Sequence, residues 1–143
     1  IQLAAGAGEL SPLEGRMDIV LVDAPCTGSG TWRRRPDTKW RLTRQQLDQR
    51  IAEQAGILDS AAAYVKPGGL LAFVTCSVFP EENGEQAKAF LERVPGFAPA
   101  DHEELWKHHF PAHEGRAGIG MGISLSPART GTDGFYFCAL RRT

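Results

Sequence analysis

The chain has 143 residues, 42% hydrophobic and 23% charged, with a formal net charge of −1. That length and apolar content suit one globular domain with a single core, and the near-balanced charge excludes a protein that is basic throughout, so any affinity for polyanions has to be local. No apolar run approaches the roughly 18 residues of a membrane span and no charged-then-apolar leader is visible; a soluble, cytoplasmic protein is expected.

In chain order, the sequence opens on "IQLAA" (1–5), which reads as a strand and has no initiator methionine, so the chain is expected to be a portion of a longer domain. "DIVLVD" (18–23) is continuously apolar between charged ends, as in a parallel strand covered on both faces. From Thr43 the period becomes helical: Leu47, Ile51, Ala55, Leu58, Ala62 and Val65 form one stripe, and Thr43 with Gln46 makes a capping box. "KPGG" (66–69) is expected to stop that helix, with Gly68 or Gly69 as a left-handed cap. "LLAFVT" (70–75) is a second buried strand, so the pattern strand, helix, strand predicts a parallel crossover.

"EENGEQAKAFLERV" (81–94) predicts a helix with acids in its first turn and Ala87, Phe90, Leu91 and Val94 facing inward, ended by Pro95 and Gly96. Residues 97–122 are mixed and glycine-rich and read as a loop with a short helix. "FYFCALR" (135–141) is a last strand after the turn "TGTDG".

Ligands of open α/β sheets bind outside the carboxyl ends of the strands. Asp23, Cys26 and Cys76 each lie at or just beyond such an end and are expected to meet at one edge. The three cysteines are odd in number and form no CxxC pair, which argues for reduced thiols rather than a disulfide framework or zinc site. Cys138, inside a strand, reads as packing.

The motifs "DAPCTGSG" (23–30), "RRPDTKW" (34–40), "VKPGG" (65–69), "TCSVFPEEN" (75–83) and "TDGFYFCAL" (132–140) resemble, in order, those of RNA cytosine-5 methyltransferases of the Sun/NSUN type, closest to the bacterial small-subunit ribosomal RNA methyltransferase B group. The resemblance covers most of residues 18–140. It implies an α/β fold: the carboxyl-terminal half of a Rossmann-like class I methyltransferase sheet, strands four to seven, with the amino-terminal strands missing. Residues 1–143 would then be the carboxyl-terminal portion of one S-adenosylmethionine-dependent catalytic domain.

The implied chemistry accounts for two thiols. Cytosine carbon 5 is a poor nucleophile, and a thiolate added at carbon 6 turns the ring into an enamine that attacks a methyl group through carbon 5. The resemblance assigns that thiolate to Cys76 and product release to Cys26, sets Asp23 between S-adenosylmethionine and base, where it contacts the cofactor and supports proton movement at the ring, and adds Pro25 to the cofactor-binding residues. An unperturbed thiol is only a few per cent ionised at neutral pH, so Cys76 needs help. The helix start near Glu81 and nearby arginines are the candidates, opposed by the acids at 81 and 82. Cys76 is expected to alkylate faster than Cys138.

A duplex hides the ring, so the target cytosine must be single-stranded or flipped out. Arg33, Arg34, Arg35, Lys39 and Arg41 would hold RNA phosphates, while Trp32 or Trp40 would stack on a base. Charge reversal at Arg34 and Arg35 is expected to weaken RNA binding and flatten its salt dependence. The competing reading is a solvated basic loop with one core tryptophan. His102, His108, His109 and His113 match no metal-ligand spacing and read as loop histidines; no metal is expected.

The family's glycine-rich cofactor loop is absent from these residues. Near Ala7, where the family carries an acid for adenosine, "AAGAG" (4–8) offers none unless Glu9 compensates. With the preceding strands missing, "DIVLVD" becomes an open edge, so the isolated chain is expected to be inactive and to self-associate. Two alternatives stand beside the enzyme: a catalytically silent RNA-binding or assembly module, and a DNA cytosine methyltransferase in which Cys26 attacks.

Overall fold

The computed structural model describes residues 10–113 and 117–143. "IQLAA", the stretch around Ala7 and Glu9 lie outside the described residues. Strand β1 (Met17–Asp23) leads through a short helix, α1 (Pro36–Arg41), into the long helix α2 (Arg44–Ala62), which returns to β2 (Val65–Thr75). The two strands pair in parallel from Ile19 opposite Leu70 to Asp23 opposite Val74, the expected crossover. Helix α2 starts where its sequence dictates. The Thr43 side chain accepts the Gln46 N–H at 3.3 Å, and Gln46 Oε1 accepts the Thr43 N–H at 2.9 Å, satisfying two otherwise orphaned donors.

The helix ends at Ala62, earlier than "KPGG", and Val65 already belongs to β2. The "KPGG" residues are not a helix cap. They absorb a slip in the β1–β2 register between the Met17–Val65 and Ile19–Leu70 pairs. Gly68 takes a φ of +76°, and a Cβ on Gly69 would lie 2.9 Å from the Met17 carbonyl oxygen. A bulge of this kind needs one left-handed residue and one without a side chain.

After β2 comes a 3-10 turn (Pro80–Glu82) and then α3 (Gly84–Arg93). Glu82 is therefore not in a solvated first helical turn; it is fully buried. Ala87 and Phe90 point into the core as expected, with Leu91 and Val94 at its margin. The remaining elements are β3 (Phe97–Pro99), α4 (His102–His109), β4 (Gly118–Ile119), β5 (Ile123–Leu125), α5 (Pro127–Thr130) and β6 (Phe135–Arg142). The region read as loop plus helix thus contains α4 and also short strands.

The described strands form one mixed sheet in the order β1-β2-β6-β5-β4, with β3 also on β6. β6 runs antiparallel to β2, β3 and β5. Two parallel strands followed by an antiparallel last strand is the arrangement expected for strands four, five and seven of a Rossmann-like methyltransferase sheet. One face carries the main core, where Val22, Leu71, Phe73, Cys138 and Leu140 pack with Leu58 of α2 and Phe90 of α3.

Alternation along β6 turns Phe137 to the other face, where it joins Trp106 of α4 and Ile123. Strand β1 is unlike a strand with two covered faces. Val22 is buried, whereas Ile19 and Leu21 are 62% and 66% exposed, and among the described residues β1 has a partner on one side only.

Candidate active site

β1 ends at Asp23 and β2 at Thr75, and the loops that follow carry the two thiols. Cys26 Sγ and Cys76 Sγ lie 3.4 Å apart, although fifty positions separate them in the sequence. Both are half-buried. The convergence at one sheet edge is as expected from the strand ends.

The backbone locks three motifs together. The Gly30 N–H donates to the Cys76 carbonyl at 2.9 Å, and the Gly134 N–H donates to the Gly30 carbonyl at 2.9 Å. The loop after Cys26, the loop after β2 and the turn before β6 are thus one unit. Only glycine fits there: a Cβ on Gly30 would lie 2.1 Å from the Gly134 carbonyl oxygen, and one on Gly134 2.7 Å from the Gly30 Cα.

Side chains complete the unit. Ser29 and Ser77 hydroxyls meet at 2.9 Å, and Ser29 Oγ accepts the Val78 N–H at 2.9 Å. The Thr75 hydroxyl donates to Asn83 Oδ1 at 2.5 Å, and Asn83 Nδ2 donates to the Ser77 carbonyl at 2.9 Å. Glu82 reaches across to the other loop. It accepts the Thr27 N–H at 2.8 Å, the Thr27 hydroxyl at 2.5 Å, the Ser77 hydroxyl at 2.5 Å and Gln54 Nε2 at 3.4 Å.

The two thiols are electrostatically unequal. A hydrogen bond from the Cys26 thiol pulls Cys76 down to about 7, against the cost of burial and the charges of Asp23 and Glu82. The same contact, with burial, pushes Cys26 up. The lowering of Cys76 has its causes in the neighbouring thiol and its own backbone N–H; neither a helix end nor an arginine is among them. Cys138 is fully buried, donates to the Met121 carbonyl at 2.9 Å and is pushed up to about 12 by burial.

Asp23 is exposed at the end of β1, at the mouth of a cleft of about 710 Å³ that runs along the open edge past Leu21, Ile57 and Tyr64. The Pro25 carbonyl accepts Gln54 Nε2 at 3.0 Å. A smaller cleft of about 220 Å³ opens beside Cys26 and is lined by Thr27, Thr38, Arg41, Gln46 and Arg50.

The basic segment is less uniform than its sequence. Arg34 is committed to Asp133 through Nε–Oδ2 at 2.6 Å. Lys39 Nζ sits 5.6 Å from the Trp32 ring and 5.4 Å from the Trp40 ring. Arg41 makes an exposed 3.5 Å pair with Asp37 beside the smaller cleft, and Arg33 and Arg35 are exposed. Trp32 packs edge-on against Phe79 at 5.7 Å, while Trp40 is 82% exposed.

His102, His108 and His109 lie on α4 rather than in a loop. His102 is buried, and its Nε2 accepts the Ala139 N–H at 2.9 Å, so a ring nitrogen satisfies a strand amide there. The side chain of His113 lies outside the described residues.

Glu82 opposes Cys76 as expected of the acid at that position, but its bonds to both thiol loops, and the part of Gln54 in them, escape sequence reasoning. A signal existed for Glu82 alone, since "EEN" follows the thiol motif within a few residues; Gln54 and Arg50 carry no pattern of their own on an amphipathic helix.

The chain is similar in sequence and fold to known proteins. The family model described as 16S rRNA methyltransferase RsmB/F matches residues 5–141. Ribosomal RNA small subunit methyltransferase B of Cronobacter sakazakii (strain ATCC BAA-894) is 38% identical over 127 residues, covering 89% of this chain and 27% of that protein. The crystal structure of PH0851 matches with a TM-score of 0.78 at 34% identity, over 90% of this chain and 27% of that one. NSun6 from Pyrococcus horikoshii, solved with SFG, gives a TM-score of 0.65 at 25% identity, over 85% of this chain and 29% of its own. The chain thus spans only about a quarter (27%) of the curated relative's length. The family match takes in both thiol loops and the sheet that presents them, and on it this chain belongs to the 16S rRNA methyltransferase RsmB/F family.

Proposed function

We propose that residues 1–143 form the carboxyl-terminal portion of a catalytic domain in a longer cytoplasmic enzyme that methylates carbon 5 of a cytosine in RNA, most naturally small-subunit ribosomal RNA. The observation that carries this reading is the 3.4 Å approach of the Cys26 and Cys76 sulfurs at the carboxyl edge of the sheet. Family membership and the relatives' names support the methyltransferase class and the RNA substrate.

In this mechanism Cys76, ionised near neutral pH, adds through sulfur to carbon 6 of a flipped-out cytosine, and the displaced electron pair makes carbon 5 nucleophilic. S-adenosylmethionine, of which SFG is an analogue, supplies the electrophilic methyl group when bound. A base then takes the carbon 5 proton, with Asp23 supporting that transfer; the C–H electron pair forms the carbon 5–carbon 6 double bond, and the Cys76–carbon bond breaks with its electrons leaving on sulfur as the thiolate. Cys26 is hydrogen-bonded to Cys76 in the resting pair and stands where it can give its proton to that sulfur as it is expelled.

Asp23, exposed at the carboxyl end of β1 beside the two thiol loops, would hold the cofactor on the side facing the base, with the Pro25 segment beside it. Arg33, Arg35, Lys39 and Arg41 would position the RNA by its phosphates, and Trp40 offers an exposed ring for stacking.

The test is to incubate the full-length protein with cofactor and RNA containing 5-fluorocytosine, and to map the trapped adduct. A bond to Cys76 is expected. A bond to Cys26 would transfer the attack to the other thiol, as in DNA cytosine methyltransferases, and no adduct would point to a silent RNA-binding module. For the 143-residue chain alone we propose inactivity and self-association along β1, where Ile19 and Leu21 are bare. A monomeric chain that binds cofactor tightly refutes that.

A further inference from the structure

We propose that Glu82 is a positioning residue that, on top of the Gly30–Cys76 backbone bond and the Ser29–Ser77 contact, sets Cys26 against Cys76, so that without it the two sulfurs lose their close approach. The inference rests on the proposed use of these thiols, but its geometry stands independently.

Glu82 is fully buried, and among the described residues no cation pairs with it. Its side chain is instead surrounded by neutral donors from three elements. Oε1 takes the Thr27 N–H and Gln54 Nε2, and Oε2 takes the hydroxyls of Thr27 and Ser77. Thr27 immediately follows Cys26, and Ser77 immediately follows Cys76. One carboxylate therefore grips the residue after each thiol, and Gln54 ties the assembly to α2 while also bonding the Pro25 carbonyl before Cys26.

A buried carboxylate without a cation is costly unless donors satisfy it. Its charge also works against the nucleophile, because Glu82 and Asp23 both oppose ionisation of Cys76. A residue that is expensive to bury and electrostatically adverse to its neighbour is explained by what it holds. The Cys26 thiol, brought to 3.4 Å, more than offsets that adverse charge.

The two roles predict opposite signs. If Glu82 mattered only through its charge, removing it would make Cys76 more acidic. If it positions Cys26 against Cys76, removing it takes away the stabilising S–H and makes Cys76 less acidic.

The experiment is iodoacetamide alkylation of the full-length protein across pH, with Cys76 modification read from its own peptide by mass spectrometry. Two variants are used, each checked for folding by thermal unfolding. Glu82→Ala removes both charge and grip. Thr27→Val keeps the charge and removes one hydroxyl contact on the Cys26 side. The expected result is an upward shift of the Cys76 profile in both, smaller in Thr27→Val, with alkylation at pH 7 reduced about tenfold in Glu82→Ala as the thiol returns toward its ordinary range.

A downward or unchanged profile in folded Glu82→Ala overturns the proposal. Should that variant not fold, Thr27→Val decides alone, an unshifted profile there being equally fatal. Methyl transfer by Thr27→Val supplies a separate readout: kcat falls while KM for RNA stays. Because alkylation needs neither RNA nor cofactor, failure of the methyltransferase reading leaves this result interpretable.

Discussion

The thiol crevice and the basic segment from Trp32 to Arg41 sit next to each other and are built on opposite terms. In the crevice, buried hydroxyls, a buried carboxylate and two abutting glycines leave each loop one way to lie. In the basic segment the cations are exposed, and three are already engaged, Arg34 by Asp133, Lys39 by two indole rings and Arg41 by Asp37. The contrast teaches that chemistry demanding ångström placement is held by short buried bonds, whereas attraction of a polyanion needs only unburied charge. It also shows that a run of like residues is not a run of like roles.

The comparison breaks most decisively at the proposed nucleophile, Cys76. Cys76→Ala should lower methyl transfer by the full-length protein at least about 10³-fold, as removal of an attacking group does in other covalent enzymes, with RNA affinity nearly unchanged. A loss of under tenfold would remove Cys76 from that role.

Next in size is the difference between thiols. The thiolate is the reactive form, so Cys76 alkylation should rise with pH through about 7 and level off above it. Cys138, pushed up to about 12 and fully buried, should stay inert over that range. At neutral pH the rates should differ by at least about a hundredfold, and equal rates would deny Cys76 its activation.

Gly30→Ala tests whether the crevice is as tight as its distances. The new methyl would need the place of the Gly134 carbonyl, so thermal unfolding should register a loss of about 2–3 kcal/mol. A neutral substitution would mean that the loops part easily.

The smallest effects sharpen the basic side. Arg33→Ala with Arg35→Ala should reduce the slope of log affinity against log salt for RNA by about 2. Arg34→Ala should barely move that slope and should instead cost up to about 1 kcal/mol of stability, the range of an exposed ion pair. The pairing of Arg34 with Asp133 thus narrows the charge-reversal expectation for Arg34 and Arg35 to Arg35. An equal change in slope from Arg34 would show that the contact with Asp133 does not hold it.

Much of this molecule is decided locally, and that part is legible in the residues alone. Thr43 and Gln46 start α2 because a capping box needs only four neighbouring residues. The crossover from "DIVLVD" through α2 to "LLAFVT" follows from apolar period, and strand ends bring Asp23, Cys26 and Cys76 to one edge because ligand sites in open sheets lie there. What local pattern does not contain is the partner a polar side chain finds. Glu82 looks like a first-turn helix acid, yet its loop turns inward and its carboxylate meets residues 55 positions earlier. "KPGG" looks like a helix stop, yet β1 lying against it makes it a bulge.

The sequence by itself therefore determined the strands, the long helix and the coincidence of two thiols, since each depends on contacts near in the chain or on which end of a strand a residue occupies. Only the tertiary structure decided that each thiol shifts the other, which arginine is spent, and which face of β1 is bare, because those depend on groups that meet only once distant segments have packed.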